Sequence, residues 1–103
     1  MSDKVTKPAL MLAELKIAVQ AALDGDWNKS HNIAQDYSDD ATNNNFANWI
    51  HAVLHKIEGD KSNSKYWYAR TNIYGGHCKK YEDFSDAQIE LHAIVVLLNA
   101  AQT

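Results

Sequence analysis

The sequence predicts an all-α domain of about five helices, and three observations carry that prediction. The dipeptide Gly-Asp recurs at positions 25–26 and 59–60, each time behind a run of residues that favour helix. Just before the second, Phe46, Trp49, Ile50, Val53, Leu54 and Ile57 fall at i, i+3, i+4, i+7, i+8 and i+11, a single apolar stripe of helical period. Further on, Ser85 with Gln88 three positions later reads as a capping box, flanked by Phe84 and Ile89 as a hydrophobic staple.

Taken in order, the elements are helices near 9-24, 26-38, 43-58, 61-74 and 85-102. The first is rich in Ala and Leu, begins at Pro8, which suits a first turn, and stops before Gly25, a good C-cap. Asp26 caps the second. The polar run from Ser38 to Asn45 holds Asp39, Asp40 and three consecutive asparagines, which compete with helix for nearby backbone, so it reads as a linker. The third helix carries the apolar stripe and ends at Gly59. The fourth contains Tyr66, Trp67 and Tyr68 in succession; three consecutive side chains on a helix point three ways, so they cannot all enter one core. Gly75-Gly76 breaks it, with residues 77–84 open between short helix and loop. The last helix is apolar on every side from Ala93 to Leu98, which predicts burial all round, within the monomer or against another subunit.

Laying Gly25-Asp26 on Gly59-Asp60 gives a shift of 34 that also matches Ala13 to Ala47, Ala18 to Ala52, Val19 to Val53 and Ser30 to Ser64. That spacing resembles the tetratricopeptide repeat, whose unit is two antiparallel helices joined by a short turn. The resemblance implies two such hairpins plus a buried C-terminal helix. It departs from the family where Ser30 and Ser64 replace the small residue of the second helix and Ala18 and Ala52 replace the glycine of the first, which bears on superhelical stacking more than on the hairpins. The segment from Trp49 to Asp60, with Asn63 and Tyr66-Trp67-Tyr68-Ala69-Arg70, also resembles a group of small bacterial proteins sharing a W-I-H-A-x-L-H-x-x-E-G-D…N-x-x-Y-W-Y-x-R pattern. That likeness covers about a quarter of the chain and implies no activity.

Composition narrows the function. At 103 residues the chain forms one domain, 1-103. Ten basic against thirteen acidic residues give a net charge of -3, and Arg70 is the sole arginine, so the clustered cations of a nucleic-acid footprint are missing. A single cysteine, Cys78, allows no internal disulfide and no Cys-rich zinc site, which points to a reducing cytoplasmic setting. The first apolar run is interrupted by Glu14, Lys16 and Gln20, so neither a signal peptide nor a membrane span is expected.

The most chemically suggestive residues are His51, His55 and Glu58. At 100° per residue they share a sector about 60° wide, the i, i+4 arrangement in which a helix presents metal ligands. A third or fourth ligand must come from another helix, with His31, His77 and His92 the remaining histidines. The competing reading is a polar face beside the core stripe, or histidines hydrogen-bonded to a neighbouring helix, and no cofactor is called for. A second set, Tyr66, Trp67, Tyr68, Arg70 and Tyr74, has the amphipathic aromatics and arginine that anchor recognition surfaces, although Tyr68 and Trp67 also suit core packing. Arg70 is placed to pair with Glu58 or Asp60, or to clamp an anion. His77-Cys78 lacks an orienting group and reads as a turn with a bystander thiol. The function expected is therefore a non-catalytic module that binds a protein segment or its own copy, since helical hairpins offer grooves to partners. The alternative is a metal or small-molecule site centred on His51, His55, Glu58 and Arg70.

Overall fold

A helix that must end and reverse within two residues needs one residue at positive φ, which only glycine adopts without cost. Gly25 and Gly59 both sit at φ +89°. At the first corner Gly25 N–H donates to Ala22 O (3.1 Å) and Asp26 N–H to Ala21 O (2.8 Å), the paired bonds of a Schellman motif. The Asp26 carboxylate then accepts from Lys29 N–H (3.2 Å), capping the next helix. The second corner repeats each bond 34 residues on: Gly59 to Lys56 O (3.1 Å), Asp60 to His55 O (2.8 Å), and Asn63 N–H to the Asp60 carboxylate (3.2 Å).

The computed structural model describes residues 7–38, 45–71 and 86–101. These form α1 (Lys7–Leu23), α2 (Trp27–Ser38), α3 (Asn45–Ile57), α4 (Lys61–Ala69) and α5 (Ala87–Ala101), with no strand among the described residues. The fold is all-α. Helices α1 and α2 pack as one hairpin and α3 and α4 as the other; α2 lies on α3, and α5 crosses both α1 and α3. None of the described helices is long and apolar enough to cross a membrane.

Helix α3 is the centre of the molecule. Every residue from 47 to 55 on it is buried, because α2, α4 and α5 cover it from three sides. Trp49, Ile50, Val53 and Leu54 meet Leu15 and Val19 of α1, Tyr68 of α4, and Leu91, Ile94 and Leu98 of α5 in one core. Each large side chain buried there contributes on the order of 2 kcal/mol. Small residues let each hairpin close: Ala18 and Ser30 in one, Ala52 and Ser64 in the other, all buried, with Ser64 Oγ donating to Ala52 O (2.8 Å).

A buried carboxylate ties α5 to the second hairpin. Glu90 is fully buried and accepts from Trp49 Nε1 (2.7 Å), Tyr68 Oη (2.5 Å) and Lys56 Nζ (2.6 Å). Three donors, one of them cationic, replace the water such a group loses.

Several expectations are corrected. Ile57, counted in the apolar stripe, is 45% exposed because the chain turns into the corner there. Helix α4 stops at Ala69, short of 74: Arg70 and Thr71 make bonds to the third carbonyl back, and Thr71 Oγ1 fills Trp67 O (2.8 Å). The cap of α5 is Asp86, whose carboxylate accepts from Gln88 N–H (3.1 Å) and Ile89 N–H (3.3 Å). Within the run 93–98, Val96 is 65% exposed, so this chain's own helices do not bury α5 on every side. The linker over 39–44 and the calls on Tyr74, Gly75-Gly76, His77, Cys78, Phe84 and Ser85 lie outside the described residues.

Candidate metal centre

The face of α3 that carries the histidines is the face that α2 covers. His51 and His55, one turn apart, stack with ring centroids 4.8 Å apart, and both are buried. This corrects the reading of a polar face beside the stripe: α3 has no solvent-facing side over these positions. Across the joint, His31 of α2 sets its ring edge-on to both, 4.8 Å from His51 and 5.5 Å from His55. One ligand nitrogen from each of the three lies within 4.8 Å of the others. The neighbouring hairpin thus places a third imidazole nitrogen beside the two on α3. His92 lies exposed on α5, and His77 is outside the described residues.

Aromatic rings hold the cluster. Trp27 stacks on His31 at 4.6 Å, meets His55 edge-on at 6.1 Å, and donates its Nε1–H to Leu54 O (2.8 Å) across the joint. Trp67 of α4 stacks on His51 at 4.1 Å. The consecutive aromatics diverge as the helix requires: Tyr68 enters the core, Trp67 is half-buried over His51, and Tyr66 is half-exposed and edge-on to Trp67. The Arg70 guanidinium lies over the Tyr66 ring, 4.1 Å from its centroid, rather than at Glu58 or Asp60. Asp60 is instead the cap of α4.

Glu58 completes the arrangement. Its Oε2 lies 2.6 Å from His55 Nδ1. A carboxylate only accepts, so Nδ1 carries the proton, and the tautomer this contact selects is the one that leaves a lone pair on Nε2. This is the outer-shell contact by which a carboxylate fixes the tautomer and orientation of a metal-binding histidine. Glu58 is also within reach of Asp60 and His55 together as a second, more exposed group.

The surroundings disfavour the protonated forms of His51 and His31. Burial, reinforced by the neighbouring His31 and His55 rings, pushes His51 down to about 3. Burial and His55 also lower His31, against a smaller opposing pull from Glu58. Neutral imidazole is the form that binds a metal, so His51 and His31 need shed no proton at neutral pH to do so.

The signal for His31 was present but ambiguous, because nothing in the sequence says which face of α2 meets α3. Glu90 was missed altogether. It shares a helical face with Ile94 and Leu98 at i, i+4 and i+8, and an acid on a buried stripe demands donors. Comparison of the chain with protein-family models, curated proteins and solved structures gave no match.

Proposed function

We propose that the protein binds a divalent transition-metal ion through His31, His51 and His55, with Glu58 orienting His55. The carrying observation is that three nitrogen ligands from two helices converge within 4.8 Å. Zinc takes imidazole nitrogen at about 2.0–2.1 Å, which on a tetrahedral ion puts ligands about 3.3 Å apart, so each ring need move by only about 1 Å. An all-imidazole set suits zinc, nickel, cobalt or copper and not the hard, oxygen-seeking magnesium or calcium. Elemental analysis and calorimetry on untagged protein test the reading. The expected result is one zinc, nickel or copper ion per chain, no response to magnesium, and loss of binding in the His51→Ala, His55→Ala double variant. A chain that takes up no ion from any of these salts removes the metal reading.

A second reading is supported by α5, where Ile89 and Val96, two turns apart on one face, leave a large apolar area uncovered. Such a face fits self-association of a hairpin module, with the two units read as divergent tetratricopeptide-like repeats on their shared 34-residue spacing. Sedimentation of wild type and of Val96→Lys tests it: a dimer that the substitution splits supports this reading, and a wild-type monomer at millimolar concentration removes it. On the single cysteine, the setting proposed is the cytosol.

A further inference from the structure

Resting on the metal-binding reading, we infer that the bound ion is a cross-link between the two hairpins, so that occupancy of the site sets how firmly hairpin α1–α2 is held to hairpin α3–α4. The ligands divide between the hairpins: His31 stands on α2, while His51 and His55 stand on α3. The same positions in the first hairpin, 34 residues earlier, are Ile17 and Ala21. Of the two, Ile17 is 48% exposed and Ala21 is buried. The histidines thus have no counterpart in the first hairpin, and they occupy the face of α3 on which α2 lies.

The rest of that joint is about as extensive as the packing within each hairpin. It is organised by Trp27, which stacks on His31, abuts His55 and reaches Leu54 O. An isolated His51–His55 pair on α3 would bind an ion more weakly and stiffen α3 alone. Adding His31 makes separation of α2 from α3 break a metal–nitrogen bond, and the free energy of binding is then spent on the joint.

Hydrogen exchange on the full chain, with zinc alone as the probe, tests this. At a zinc concentration about a hundred times the dissociation constant, any opening that releases the ion is suppressed by up to about a hundredfold. The amides of α2 and of α3 should both slow by at least about tenfold on that basis. In His31→Ala, and in His31→Phe, which keeps a ring against Trp27, zinc at saturation should protect α3 but leave α2 within about twofold of its zinc-free rate. Zinc bound by the wild type with protection confined to α3 overturns the cross-link and leaves the metal site standing. Equal protection of α2 in wild type and His31→Phe overturns it as well. Absence of zinc binding is a different outcome, since it removes the underlying reading.

Discussion

Glu58 and His51 bear opposite relations to the three-imidazole cluster, and each yields a measurement. Glu58 touches the site only through His55 Nδ1, so Glu58→Gln should weaken zinc binding by about 10- to 100-fold while leaving stoichiometry intact. Calorimetry reads this directly; an unchanged affinity would show that the contact does not orient the ring. His51 carries a proton penalty. Its folded value of about 3 lies below the ordinary 6.5, so the unfolded chain binds the proton more readily. Stability of the metal-free protein is therefore complete above pH 6.5 and declines as pH falls through 6.5 toward 3. Between pH 7 and pH 5 the loss is about 2 kcal/mol, or roughly 10 °C in melting temperature. Urea midpoints at the two pH values should show that dependence, and His51→Gln should lack most of it. At this scale the sequence revealed the ridge of His51, His55 and Glu58, since helical spacing is arithmetic. It hid His31, because partner choice across a helix interface depends on packing that no local pattern records.

At the scale of the element, the corners were the most legible feature. Glycine at positive φ followed by a capping aspartate is local chemistry, written in two adjacent residues and completed within the turns on either side. Nothing lies within 4 Å of a Cβ built on Gly25 or Gly59, so substitution there meets conformational strain and no clash. Gly25→Ala and Gly59→Ala should each cost about 1–2 kcal/mol, and by similar amounts, given that the two corners share the same bonds. Denaturant unfolding would check the equality; a much larger loss at one corner would mean that its turn also supports packing elsewhere. Helix ends set by distant partners were less legible. Helix α4 closes early, where Asn48 Nδ2 of α3 binds Arg70 O (3.1 Å), a contact 22 residues away in sequence. The exposure of Ile57 likewise follows from where the chain reverses and not from the stripe to which it belongs.

For the whole molecule, the decisive side chain is Glu90. The sequence showed that the last helix must be buried but not that an acid on its inner face would receive Trp49, Tyr68 and Lys56, because those donors lie 41, 22 and 34 residues away. Replacing Glu90 with Ala removes the acceptor of two buried donors, Trp49 Nε1 and Tyr68 Oη, and of the partly buried Lys56 ammonium, at a cost of about 3–5 kcal/mol. Thermal melting would detect a loss of that size, whereas a drop under about 1 kcal/mol would mean that water can enter and replace the carboxylate. The position of this acid also bears on the order of assembly. Residue 90 follows α1 through α4 in the chain, so until α5 docks the Trp49 indole and the Tyr68 hydroxyl lack the Glu90 carboxylate. With α1 through α4 alone the core stays open along the flank that α5 covers, and the tight native state is reached only when that helix closes over it.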